Sequence, residues 1–333
     1  MICKSGQNNR RKAIRLFIAC MALSLVGHIG VSRAQDYPDR AVRVVIPNVA
    51  GGSSDTIGRL VAQKLRERLG QPFIVDNRPG AGQMIGADHV AKSAADGYTV
   101  IFLGGTYTTS AAMQPKLPFD PVNDLTGVAI GGEGPFMLAV HPSLPVKSVK
   151  ELIAVARSKP GQLNFASAGT GSITHLVTEL FASMAKIRIV HVPYKAGAPA
   201  ATDLVGGHVE MMIGSLPLLQ HHAKAQRIRA LAVTSARRSA LAPELPTIAE
   251  VALPGYRTSQ WWGMLAPTKT PRQPITRLNA EINKTLVTDE MRSRLGAEGA
   301  EPVTMSPEAF SAMIRNEIAN WRKIVSQLKL QPE

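Results

Sequence analysis

Apolar runs of strand length alternate with amphipathic runs of helix length along most of this 333-residue chain. Ala41 to Ile46 reads as a first strand. Beyond it Ile57, Leu60, Val61 and Leu65 recur at helical spacing and predict a helix over Thr56 to Leu69. Phe73 to Val75 and Thr99 to Leu103 continue the same sheet, with a helix near Met84 to Ser93 between them. A second series begins at Phe136 to Val140. It places strands at Leu163 to Ala166, Ile187 to Val192, Val209 to Ile213 and Arg229 to Thr234. Helices at Val149 to Ser158, Ile173 to Ala185, Ala198 to Val205 and Leu216 to Ala225 separate them. A late strand, Trp261 to Ala266, and helices at Pro274 to Thr288 and Pro307 to Leu328 close the chain. This βαβα order implies α/β architecture, with parallel sheets covered on both faces.

In the closing helix Phe310, Ile314, Ile318, Trp321 and Val325 form a stripe that has to be buried. The first series has too few elements to cover its own sheet, so the helix is assigned there. A chain of this length exceeds what one core usually serves, and two lobes are expected. The chain would cross between them near Gly134 and near Gly255, and two crossings make a hinge. Lobe 1 then takes residues 35–134 plus 255–333, and lobe 2 takes residues 135–254.

The first residues bear on compartment. Lys4, Arg10, Arg11, Lys12 and Arg15 precede an apolar stretch from Leu16 to Val31, which ends at Ser32-Arg33-Ala34 with small residues at the −3 and −1 positions of a signal-peptidase site. Gly27, His28 and Gly30 interrupt the stretch, and it falls short of the roughly 20 residues of a spanning helix. Residues 1–34 are therefore expected to be a signal peptide cleaved after Ala34, which makes the mature chain periplasmic. A competing lipoprotein-like box, Phe17-Ile18-Ala19-Cys20, would strand the apolar Met21 to Val31 at the mature start. Cys3 and Cys20 are the two cysteines of the sequence, so the mature chain has neither a disulfide nor a thiolate metal ligand. Losing Lys4, Arg10, Arg11, Lys12, Arg15 and Arg33 lowers the net charge from +14 to +8. The remaining excess attracts anionic partners. Nucleic acid is not among those expected, because the densest basic stretch left is Arg237-Arg238.

Several glycine-rich turns each follow a strand and open a helix, and in a parallel sheet such turns gather at the carboxyl edge, where ligands bind. The first runs from Pro47 to Asp55. Asn48, Gly51, Gly52, Ser53 and Ser54 offer polar groups, and free amides at the helix start point at an anion. Ser53, Ser54 or Asp55 can equally cap that helix. The second turn, Asn77 to Gly86, spaces Gly80, Gly82 and Gly86 two and four apart, unlike a dinucleotide fingerprint. Thr106, in the third turn, adds a hydroxyl. The fourth, Ala168-Gly169-Thr170-Gly171-Ser172, mirrors the first from the second series, so the two helix starts would grip opposite ends of a dicarboxylate. His175 is a ligand contact or a packed, capping histidine. Asp203 faces either the cleft or solvent.

The ordered set of motifs resembles the extracytoplasmic receptors of tripartite tricarboxylate transporters, the Bug receptors. Tyr37-Pro38-Asp39-Arg40, Gly51-Gly52-Ser53-Ser54-Asp55, Asp76-Asn77-Arg78-Pro79-Gly80-Ala81-Gly82, Asp96-Gly97-Tyr98-Thr99, Val192-Pro193-Tyr194-Lys195, Trp262-Gly263 and the tail from Ser306 to Trp321 carry it. The resemblance implies a type II periplasmic-binding-protein fold, a carboxylate held by the first and fourth turns, and integral membrane transporter subunits as partners. Asn48 and Ala50 depart from the family, which places an aromatic residue and a proline there.

An enzyme is not expected. No Gly-x-Ser-x-Gly elbow occurs, and Gly169-Thr170-Gly171-Ser172 is out of register for one. A hydrolase would have to use Ser172 and His175. His221 and His222 diverge on a helix and make a poor metal pair, so neither metal nor cofactor is expected. A monomer is expected, and the alternative within the binding class is a sensor that presents its bound form to a signalling protein.

Overall fold

Strands that alternate with helices are held here in two sheets, in a computed structural model that describes residues 37–114 and 116–330. The expected leader, its cleavage after Ala34 and the alternative at Cys20 lie outside the described residues. From Arg40 onward the described residues form one compact unit.

The first series comprises β1 (Val42–Ile46), α1 (Ser53–Leu69), β2 (Phe73–Asn77), a 3-10 turn at Ala81–Gln83, α2 (Met84–Ala91), β3 (Thr99–Gly104), α3 (Thr106–Met113) and β4 (Leu125–Gly134). The second comprises β5 (Phe136–Val140), α4 (Val149–Ser158), β6 (Asn164–Ser167), α5 (Ile173–Ala185), β7 (Val190–Pro193), α6 (Gly197–Gly206), β8 (Met211–Ser215), α7 (Leu216–Lys224), β9 (Arg229–Val233) and α8 (Ile248–Val251). The chain returns as β10 (Gln260–Pro267), α9 (Arg272–Leu286), α10 (Asp289–Ala297) and α11 (Pro307–Leu328).

Strand order is β2-β1-β3-β10-β4 in one sheet and β7-β6-β8-β5-β9 in the other. The sheets are mixed, not purely parallel. β1 runs parallel to β2 and β3, whereas β10 is antiparallel to β3 and β4. Likewise β5 is antiparallel to β8 and β9. The inversion follows from connectivity. Only Pro135 separates β4 from β5, so the chain leaves one sheet at its carboxyl edge and enters the other at its carboxyl edge, pairing Phe136 with Ser215. β10 enters the first sheet in the same way, with Gln260 opposite Gly134. The carboxyl edges of both sheets therefore meet at the crossovers.

Side-chain alternation on β5 shows how the second sheet is covered: Leu138 and Val140 enter one core with Phe165, Phe181 and Ile213, while Met137 and Ala139 enter another with Ala166, Met212 and Val233. The first sheet packs Val45, Ile101, Leu103, Ile130 and Leu265 against Phe310, Ile314 and Ile318 of α11. Glycines admit that helix. A Cβ on Gly263 would run into Phe310 Cζ, and one on Gly127 would lie 2.8 Å from Phe310 Cδ1. Phe310 meets Trp261 edge-on, with ring centroids 5.4 Å apart. The same helix does not stop at the first lobe. Trp321 is buried in the core that holds Phe181, Ile248 and Tyr256, so α11 spans both cores instead of covering one.

Candidate functional site

The first turn is organised by a buried carboxylate. Asp55, at 4% exposure, accepts the Gly51 amide on Oδ2 at 3.0 Å, the Arg59 Nε on the same oxygen at 2.9 Å, and Asn77 Nδ2 on Oδ1 at 2.8 Å. Asn77 Nδ2 also donates to the Asn48 carbonyl at 3.0 Å, which clips both ends of the turn together. Burial pushes the Asp55 carboxyl up, but the hydrogen bonds from Arg59, Asn77 and Gly51 outweigh it and hold the group below the usual carboxylate range. Gly51 has φ +88°, a conformation that a side chain would strain.

One consequence alters the expected role of Gly51: its amide is engaged with Asp55. The amides that remain open lie one step further on. Gly52 stands at the N-cap of α1 without a side-chain cap. The amides of Gly52, Ser53 and Ser54, and both serine hydroxyls, have no partner among the described residues. An uncapped start to a 17-residue helix presents the positive end of its dipole and several donors to one spot.

The fourth turn is built differently. Its N–H groups are largely occupied: Ala168 donates to Thr174 Oγ1 at 2.9 Å, Gly169 to Ser167 Oγ at 3.1 Å, Gly171 to His175 Nδ1 at 3.2 Å and Ser172 to the Gly169 carbonyl at 3.1 Å. Ser172 caps α5, accepting from the His175 amide, and its hydroxyl donates to the Gly169 carbonyl at 2.6 Å. This turn is therefore a rigid, self-bonded loop. Ala168, Gly169, Thr170 and Ser172 are half-buried, and Gly171 is buried.

His175 is part of that scaffold. Buried at 4% exposure, it stacks on His191 at 3.9 Å, which stacks in turn on Phe165 at 4.9 Å. His191 Nε2 lies 2.6 Å from Ser167 Oγ, and burial lowers its pKa to about 4, so the ring is neutral near pH 7. Asp203 has a local partner too. Tyr194 donates its hydroxyl to Asp203 Oδ2 at 2.6 Å, and the Tyr194 amide donates to the Ser167 carbonyl at 3.1 Å, so both residues brace the fourth turn.

Helix α3 stands between the two turns. Thr106, at its start, is half-buried and its hydroxyl has no partner among the described residues. A Cβ on Gly105 would sit 2.7 Å from Ile173 Cδ1, and one on Gly171 would sit 3.8 Å from Met113 Cβ. On the opposite side a Cβ on Gly82 would run into Ser110 Oγ, and Gln83 Nε2 donates to Asn48 Oδ1 at 3.2 Å. A continuous path of contacts thus leads from Asn48 through Gln83 and α3 to Gly171 and Ile173.

Three residues at or near this path carry polarity that no sequence motif marked. Gln83 Oε1 and Gln260 Oε1 are buried without a hydrogen-bond partner among the described residues. Glu317, on α11, accepts Trp261 Nε1 at 2.7 Å and Thr108 Oγ1 at 3.1 Å. It lines a cavity of about 410 Å³ beside the second crossover. Burial raises its pKa to about 7, against the pull of those two hydrogen bonds.

Two α/β lobes joined at the carboxyl edges of their sheets, with helix starts gathered at the junction, define a two-lobe solute-binding protein of type II topology. Residues 57–330 match the model of the tripartite tricarboxylate transporter family receptor, and the chain belongs to that family. It is 37% identical over 296 residues to Protein BugT of Bordetella pertussis, which covers 88% of this chain and 91% of that protein. Among solved structures it is similar to Rpa4515 of R. palustris with adipate, at 39% identity and a TM-score of 0.80, covering 90% of this chain and 100% of that one. MatC from Rhodopseudomonas palustris with bound malate gives 32% identity and a TM-score of 0.75, covering 87% and 100%. The family is one of solute-binding receptors, not of enzymes. Among the described residues no helix is long and apolar enough to cross a membrane.

Proposed function

We propose that this chain is a periplasmic receptor, exported and cleaved after Ala34, that holds a small organic acid between its lobes and delivers it to the membrane subunits of a tripartite tricarboxylate-type transporter. The observation that carries the reading is the uncapped start of α1, where the Ser53 and Ser54 amides and hydroxyls have no partner among the described residues. An anion there completes bonds that the fold leaves open, at a helix dipole that favours negative charge by about 0.3–1 kcal/mol before direct hydrogen bonds are counted. The surplus of positive charge supports anionic ligands, and adipate in Rpa4515 and malate in MatC support a dicarboxylate.

In this reading Gly52, Ser53 and Ser54 bind one carboxylate directly, Asn48 and Thr106 contribute side-chain contacts, and Gly51 fixes the turn. Ala168, Gly169, Thr170, Gly171 and Ser172 form the opposing wall, with Asp203 holding it through Tyr194. Lobe 1 takes residues 35–134 plus 255–333 and lobe 2 takes 135–254, with bending at the two crossovers. Calorimetric titration of residues 35–333 with C4 to C6 dicarboxylates, citrate and monocarboxylates tests the proposal. The expected result is micromolar or tighter binding to at least one, weakened at least tenfold by Ser53→Pro, which deletes one amide while keeping a residue type compatible with a first helical position. Absence of binding to every acid sinks it.

A further inference from the structure

Beside the open helix start lies a second feature that points to a ligand. The backbone from Gly80 to Gln83 is left-handed at every residue, with φ of 130°, 47°, 60° and 78° for Gly80, Ala81, Gly82 and Gln83. Two of the four are not glycine, and left-handed backbone in residues with a Cβ persists only where the surroundings impose it. Here Ser110 crowds Gly82, and Gln114 Nε2 donates to the Ala81 carbonyl at 3.3 Å, clamping the turn on α3. The outcome is to push Gln83 inward. Its side chain is 4% exposed and ends against Asn48, with Nε2 on Asn48 Oδ1 and Oε1 without a partner among the described residues.

Neither residue spends its full bonding capacity. Gln83 Oε1 is an unmet acceptor, and the Asn48 side-chain N–H groups have no partner among the described residues. Asn48 sits one shared hydrogen-bond donor, Asn77 Nδ2, away from the carboxylate of Asp55 that shapes the anion site. An acceptor on one carboxamide and donors on another, joined by the Gln83 Nε2 bond to Asn48 Oδ1, suit a group that can both give and take a hydrogen bond. A carboxylate oxygen cannot do so, and a methylene can do neither. A hydroxyl can.

Resting on the receptor reading above, we infer that the Asn48–Gln83 carboxamide pair is a specificity subsite for a hydroxyl group borne on the dicarboxylate, so that the preferred ligands are hydroxy-dicarboxylates and not plain alkanedioates. The terminal torsion of Gln83 is soft, so Oε1 can turn toward an arriving hydroxyl, exchanging the Nε2 bond to Asn48 Oδ1 for the new one, while Asn48 donates to the hydroxyl oxygen. An alkanedioate leaves both groups unmet, and sites built to hydrogen-bond a substrate group discriminate against the analogue that lacks it.

Matched pairs decide it. Succinate against malate, and adipate against 3-hydroxyadipate, are titrated calorimetrically into the mature wild type, Gln83→Gly and Asn48→Ala. Gln83→Gly suits the left-handed backbone, so its fold is retained, and thermal melts of all three check this. Wild type is expected to favour the hydroxylated member of at least one pair by about tenfold or more, since an unmet buried polar group carries a penalty of that order. Gln83→Gly should erase the preference while leaving binding of the unhydroxylated parent within about threefold. Equal affinities in wild type, or a preference that survives both substitutions, overturn the subsite and leave the receptor reading intact. If no dicarboxylate binds any of the three proteins, the subsite falls together with that reading.

Discussion

Replacing Glu317 by Gln should make the protein more stable by about 3 kcal/mol at pH 8 and by only about 1 kcal/mol at pH 5. Burial raises the pKa of Glu317 to about 7, while Trp261 and Thr108 oppose the shift by donating to the charged form. In the unfolded chain the same group ionises near the ordinary glutamate value of 4.5. The folded value lies above the unfolded one, so the stability linked to this group is fully present below pH 4.5 and is lost as pH rises through 7. Worked through, holding the proton back costs about 1 kcal/mol at pH 5 and about 3 kcal/mol at pH 8, a change of about 2 kcal/mol. The Gln amide oxygen keeps both hydrogen bonds and does not titrate. Urea unfolding of wild type and Glu317→Gln at half-unit steps from pH 5 to 8.5 measures the difference. Two curves that stay parallel across this range would refute the assignment of a protonated carboxyl at the lobe junction.

Asp55→Ala removes the acceptor for Gly51, Arg59 and Asn77 and should cost about 3 kcal/mol by denaturant unfolding, given the worth of hydrogen bonds to a charged group. A loss under about 1 kcal/mol means that the turn holds its shape by other means. Because the Asp55 pKa is depressed, its contribution is present above the ordinary Asp range and fades as pH falls through the folded value. Gly263→Ala drives a methyl into Phe310 Cζ and to 2.9 Å from the Ala129 carbonyl, and overpacking of this kind costs about 1–3 kcal/mol. Adding Phe310→Leu should return part of that loss, and strict additivity of the two changes argues against the contact.

The alternation of apolar runs was enough to find most strands of both sheets, because buried parallel strands read as continuous runs of Val, Ile, Phe and Leu. β4 escaped. Its segment Leu125–Gly134 holds four glycines, which lower strand propensity but admit Phe310 and Phe102 against the sheet. α3 escaped as well, since Thr-Tyr-Thr-Thr-Ser carries no apolar stripe and is helical only because it is enclosed on nearly every side. Composition could not reveal that β5 and β10 run against their neighbours. That reversal is a matter of which edge the chain enters.

The first and fourth turns were visible from their glycines and hydroxyls, but how their amides are used was not. Whether a given N–H is open depends on Asp55 and His175, side chains whose directions no spacing rule fixes. Gln83 left no trace, because a glutamine after a Gly-Ala-Gly run signals neither burial nor left-handed backbone. Glu317 did leave a signal. It follows Phe310 and Ile314 at helical spacing and precedes Trp321, so a carboxylate interrupts the stripe of α11 at a position where burial was to be expected.

A single rod, α11, is seated at one end beneath Trp261 and at the other in the pocket of Trp321. Any swing of one half of the molecule away from the other has either to unseat that indole or to flex the rod. Relative motion of the two halves is therefore resisted at Trp321. In the proposed receptor, loosening the Trp321 socket should change how long a captured acid stays trapped.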